Sequence, residues 1–143
     1  MSDELHIRRA EMISDGQIIR FAYDEEGDIL EIAFGSVQAT CAIELTDDIL
    51  LRFNLECEQA AGLTILDFSS RASSTEIGPI SFPLTGLADL PEELRRTVVK
   101  ILTSPPVNRF LKLTCYSPTP TERIPLTYVV RPPALAAVAP AVP

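Results

Sequence analysis

Histidine is nearly absent from this chain: His6 is the only one in 143 residues. A Ser-His-Asp or Cys-His relay needs an imidazole held in a rigid frame, and His6 lies in the stretch with the weakest pattern. Catalysis of that kind is therefore not expected. Cysteine is scarce too. Cys41, Cys57 and Cys115 are odd in number and far apart. With no C-x-x-C pair they suggest neither a zinc site nor a redox motif, and reduced thiols in a cytoplasmic protein are the simplest account. The 6 glycines are scattered, so no phosphate-cradling loop is formed and nucleotide binding is not expected. No apolar run approaches the roughly 20 residues of a membrane helix. The first six residues carry acids where an export signal would carry bases and an apolar stretch, so no membrane association is expected. Proline is missing from the whole first half: all 12 lie beyond Ser70.

What is present is also unevenly spread. Residues 1–70 hold 4 basic and 15 acidic side chains, a net of −11, and residues 71–143 hold 8 basic and 5 acidic, a net of +3. The acidic half would repel phosphate, so nucleic acid is not an expected partner. A basic protein could be, because complementary potentials speed encounter. Apolar residues make up 46% of the chain, enough for one core.

From Gln17 to Phe68 short apolar runs alternate with polar turns, the pattern of antiparallel strands. Ile19, Phe21 and Tyr23 would share one face of a first strand. Asp24-Glu25-Glu26-Gly27-Asp28 reads as its turn. Further strands are expected over Ile29–Phe34, Gln38–Leu45, Ile49–Leu55 and Leu63–Phe68. Residues 1–17 fit neither period for long and read as an irregular arm or short strand before the Ser14-Asp15-Gly16 turn. Beyond Ser70 a helix is predicted over Asp89–Leu102. Asp89 and Glu92 have capping-box spacing, Pro91 falls in the first turn, and Leu90, Leu94, Val98, Ile101 and Leu102 form an apolar stripe. Strands are expected over Phe110–Tyr116 and Thr127–Val130. The uncharged Pro/Ala/Val tail from Arg131 onward is expected to be disordered.

The run Tyr23-Asp24-x-Glu26-x-Asp28-x-Leu30-x-Ile32, the Glu44-Leu45-x-Asp47-Asp48 turn and Gly62-Leu63-x-Ile65-Leu66-Asp67-x-Ser69 resemble a family of small bacterial domains of unknown function, number 2283 in that series. The resemblance covers Tyr23 to Ser70, about a third of the chain. It implies a compact β-meander. That family carries no established activity, so the resemblance transfers no catalytic residue.

Three constellations remain. Asp24, Glu25, Glu26 and Asp28 could offer oxygen ligands to a hard cation, but they lack the twelve-residue frame of an EF-hand and read as a solvated hairpin turn, with no metal and no cofactor expected. Glu31, Glu44 and Asp67 each interrupt an apolar strand. If the pairing register brought them together they could serve acid–base chemistry of a hydrolase or isomerase, and otherwise they face solvent. The helix stripe is core or an oligomer seam, since an open meander leaves edges to be covered. The expected fold is α+β: an antiparallel β-meander of about five strands (residues 23–70) after an arm and first strand (1–22), then a helix and two short strands (71–130) packed on it, and a tail (131–143). The expected function is non-enzymatic protein–protein interaction, most simply as a homodimer through Leu94, Val98, Ile101 and Leu102. The alternatives are antitoxin-like neutralisation of a basic partner, and carboxylate catalysis.

Overall fold

The computed structural model describes residues 6–72, 74–75, 78–79, 81–130, 132, 135 and 138. Of the irregular arm or short strand expected before the Ser14-Asp15-Gly16 turn, the strand is what forms. β1 (Ile7–Ser14) is a full strand paired antiparallel with β2 (Gln17–Asp24). The hairpin closes through Asp15 and Gly16, at φ of 53° and 77°. Positive φ at both loop positions matches the twist of the flanking strands, and an Asp-Gly pair adopts it cheaply. β1 escapes the period-2 pattern because Arg8 sits opposite the buried Tyr23, on the face where Ala10 and Met12 are apolar.

β3 (Ile29–Phe34), β4 (Cys41–Thr46), β5 (Ile49–Asn54) and β6 (Gln59–Ile65) complete a six-stranded antiparallel sheet, against about five strands expected. Its order is β1-β2-β3-β6-β5-β4. Two three-strand meanders thus meet along β3 and β6, and purely sequential pairing is corrected there. The connection from β3 to β4 must cross three strand spacings, roughly 14 Å. The six residues Gly35–Thr40 can reach about 20 Å when extended. Thr40 N–H donates to the Phe53 carbonyl at 2.9 Å, and the Asn54 side-chain amide to the Gln38 carbonyl at 2.9 Å, which hold this crossing in place.

One face of the sheet carries Ile19, Phe21, Leu30, Ile32, Phe34, Leu51, Phe53 and Leu63, all buried. The C-terminal half covers it. After a one-turn helix α1 (Phe68–Arg71), short pairings β7 (Ser74–Thr75) with β8 (Gly78–Pro79) lead to β9 (Phe82–Pro83), the helix α2 (Glu92–Leu102), β10 (Leu111–Tyr116) and β11 (Ile124–Val129). Strands β10, β11 and β9 form a second small antiparallel sheet. The Phe110 ring meets Phe21 edge-on at 5.6 Å between centroids and lies 5.9 Å from Phe34, so both halves contribute to one core.

The expected capping box does not form. Pro91 is the N-cap residue, no side chain caps the helix, and Asp89 lies outside it. Arg95 folds back instead, donating through Nε to the Leu87 carbonyl at 3.0 Å and through Nη2 to that of Leu90 at 2.9 Å. This holds the preceding turn, Thr85–Leu87, beside the helix start. The tail also departs from expectation where it is described: Leu135 and Val138 are buried, and Leu135 N–H donates to the Pro132 carbonyl at 3.0 Å. The other tail positions lie outside the described residues. So do residues 73, 76, 77 and 80 of the stretch between α1 and β9.

Candidate functional site

The residues that carry the family resemblance gather at one end of the large sheet. Asp28 is in the left-handed region at φ 55°, which turns its carboxylate inward. That carboxylate accepts from the Tyr23 hydroxyl at 2.6 Å, from Ser69 N–H at 3.1 Å and from Ser69 Oγ at 2.9 Å. Its backbone carbonyl accepts from Phe68 N–H at 3.0 Å. Asp48 makes a second tie: its carbonyl accepts from Leu66 N–H at 2.7 Å and its carboxylate pairs with Arg71. Thr46 Oγ1 closes the β4–β5 turn by accepting from Asp48 and Ile49 N–H, each at 3.1 Å. Burial pushes the Tyr23 phenol above its ordinary pKa, and its hydrogen bond to Asp28 adds to the rise.

These bonds give Tyr23, Asp28, Asp48 and Ser69 a structural role. Charge-assisted bonds to a carboxylate are the stronger kind, and here they fasten the start of β3 to the chain leaving β6. The same arrangement accounts for the acidic cluster. Asp24 Oδ1 accepts from Glu26 N–H at 3.0 Å and Gly27 N–H at 3.2 Å, Glu25 pairs with Arg8 at 2.6 Å, and Glu26 lies 3.7 Å from His6. Among the described residues no group of three or more His, Cys, Asp or Glu side chains could hold a metal ion. His6 is placed beside Glu26.

The three interrupting carboxylates do not converge. Glu31 faces Thr64 and Glu44 faces Leu50, on the open side of the sheet. Strands β6 and β5 stand between them, a separation of roughly 14 Å. Asp67 sits in the turn after β6, at φ 52°. What the open face does assemble is a set of arginines. Arg9, Arg20 and Arg52, with Glu11 and Glu31, surround a trough of about 400 Å³ that Ala22 and Ala33 also line. Three of the four basic residues in positions 1–70 meet there. Gly62 makes room, since a Cβ on it would stand 2.7 Å from an Arg52 guanidinium nitrogen. Strand parity alone places Arg20 and Arg52 opposite the apolar face, but Arg9 joins them only once β1 is recognised as a strand.

The expected seam lies elsewhere than on the surface. Val98, Ile101 and Leu102 are buried within the single chain, and Leu94 is half-buried against the same core. A second copy cannot reach the first three without opening the protein, so the homodimer seam expected there is corrected. Their apolar stripe is used on the protein's own sheet. Cys41 is half-buried and Cys57 exposed, both as free thiols. An apolar groove of about 670 Å³ runs between the Thr85–Leu87 turn and β11, lined by Leu84, Leu87, Val99, Leu113 and Ile124 with Arg95 and Arg123 also present.

The two edges of the large sheet differ. On β4 the register shifts between Glu44 and Thr46, and the Thr85–Leu87 turn packs against the strand. Gly86 sits so close to the Glu44 carbonyl that an added Cβ would collide with it. β1 has no bulge, no proline and no described strand along its outer side. Ile13, on this strand, is 78% exposed, and its cross-strand partner Ile18 is exposed as well.

Among the described residues no helix is long and apolar enough to cross a membrane. No curated protein and no solved structure matches the chain. Residues 20–69 match the model of a family described as protein of unknown function (DUF2283). The matched segment runs from within β2 to the start of α1 and includes Tyr23, Asp28 and Ser69.

Proposed function

We propose that this protein is a non-enzymatic, cytoplasmic protein–protein interaction module that associates with a second copy of itself. The observation that supports this reading is the unguarded β1 edge. An eight-residue strand whose outer N–H and C=O groups meet no strand among the described residues is a template for another strand, and the opposite edge of the same sheet is covered. The test is native mass spectrometry, with light scattering after gel filtration, across a range of micromolar concentrations. A homodimer is expected, and a monomer at every concentration would overturn the proposal.

A second reading has its own support. Asp24, Glu25, Glu26, Asp47 and Asp67 lie in or next to turns at one end of the sheet and give that end an acidic character. A basic protein would fit that end, as in neutralisation of a basic partner. Its mark would be capture of a basic protein at fixed stoichiometry, weakened steeply between 0.1 and 1 M salt as the Debye length falls from about 10 to about 3 Å.

A further inference from the structure

We infer that β1 pairs with the β1 strand of a second copy, antiparallel and centred on Ala10, to give a continuous twelve-stranded sheet. This rests on the self-association reading and assigns its surface and register. The direction of the backbone groups comes first. Glu25 N–H donates to the His6 carbonyl at 2.9 Å, just beyond the paired run in which Ile7 faces Asp24. In an antiparallel ladder the residues that bond to one neighbour alternate with those that bond to the other. The even-numbered residues of β1 therefore bond to β2, and Ile7, Arg9, Glu11 and Ile13 turn their N–H and C=O groups to the free edge.

A two-fold antiparallel pair uses that edge only if these odd positions oppose one another. Centring on Arg9 sets arginine against arginine, and centring on Glu11 sets glutamate against glutamate. Centring on Ala10 sets Arg9 against Glu11, Glu11 against Arg9, Ile7 against Ile13 and Ile13 against Ile7. Opposite charges directly across a pair stabilise it and like charges destabilise it. The strand is thus self-complementary about Ala10 in hydrogen bonding, in charge and in apolar contact.

Exposure agrees with this assignment. Ile13, 78% exposed in the single chain, gains an isoleucine neighbour, and beside it lies the exposed Ile18. Arg9 forms no ion pair among the described residues, while Glu11 holds Arg20 only loosely, at 3.4 Å. In the dimer each Glu11 stands between Arg20 of its own chain and Arg9 of the other. The troughs of the two copies, each bordered by Arg9 and Glu11, meet across the seam.

The test uses two charge reversals at exposed positions, Arg9→Glu and Glu11→Arg, with circular dichroism to confirm that each chain folds. Alone, each variant opposes like charges twice and should dimerise about tenfold more weakly than the parent protein. Mixed in equal amounts, every charged pair becomes complementary, so native mass spectrometry should show the heterodimer well above its statistical half share. In a Cys57→Ser background, Ala10→Cys should form a disulfide between the introduced thiols of the two copies on mild oxidation, identified by peptide mapping. Variants that dimerise as well as the parent, mix statistically and form no disulfide at this position would overturn this register while leaving self-association standing. A parent protein that is monomeric throughout would overturn both.

Discussion

The two halves of this molecule are stabilised in different ways. The first 70 residues contain no proline and close a six-strand ladder, three of whose turns are held by the side chains of Asp24, Thr46 and Asn54. The second half contains every proline and, among the described residues, breaks into short elements: one helix of 11 residues, two strands of six and three strands of two residues each. Proline removes a donor from the ladder, so such a segment cannot extend a large sheet. It supplies instead the apolar layer that the sheet needs on one face. The sheet supplies backbone order and the C-terminal half supplies coverage, and neither buries its apolar surface without the other.

Severing that dependence should have the largest effect. Phe110→Ala removes the ring lodged against Phe21 and Phe34 and should cost about 4 kcal/mol in a urea titration. A loss near 1 kcal/mol would mean that the halves are less interdependent than the packing indicates. Gly86→Ala acts at the second junction, where a methyl group would collide with the Glu44 carbonyl. We expect a loss of about 2–3 kcal/mol, as in other overpacked sites, with increased amide exchange in β4.

A smaller change separates what the sheet does for itself. Tyr23→Phe keeps the ring packed edge-on against Phe68 at 5.8 Å but removes the bond to Asp28, at a cost of about 1–2 kcal/mol. It should also alter the alkaline limit. The Tyr23 phenol is raised in the folded state by burial and its bond to Asp28, so the unfolded chain gives up this proton first. Its contribution is complete below about pH 10, the ordinary tyrosine value, and is lost as pH climbs through the raised folded value. The variant should lose less stability across that window, which pH-dependent urea midpoints would show. The smallest effect is expected at Asp89→Ala. Because Pro91 is the N-cap and no side chain caps α2, stability should stay within about 0.5 kcal/mol, whereas a working cap would cost about 1 kcal/mol.

Much of the sheet could be read in advance because period 2 is a local property. Ile19-Phe21-Tyr23, Leu30-Ile32-Phe34 and Ile49-Leu51-Phe53 each place large apolar residues at every second position, and the structure buries each set. β1 could not, because Arg8 interrupts its apolar face opposite Tyr23, on an edge where burial is partial. The helix boundary shifted because Arg95, a residue inside α2, bonds the carbonyls ahead of it, while the capping spacing of Asp89 and Glu92 was met in sequence but not in space. The seam was misplaced for a different reason. An apolar helix stripe reads the same whether it faces its own sheet or a second chain, and only the position of Phe110 and α2 on the sheet distinguishes the two.

The strand faces, the turn residues, the charge asymmetry of −11 against +3 and the place where proline ends the ladder follow from the order of residues alone, because each depends on neighbours a few bonds apart. Folding in three dimensions was needed to decide that β3 joins β6, that Asp28 meets Ser69 across 41 positions, that Glu31, Glu44 and Asp67 stay apart, and that β1 rather than the helix is left open. Those outcomes depend on how two meanders share one apolar layer, and that choice is made by burial summed over the whole chain.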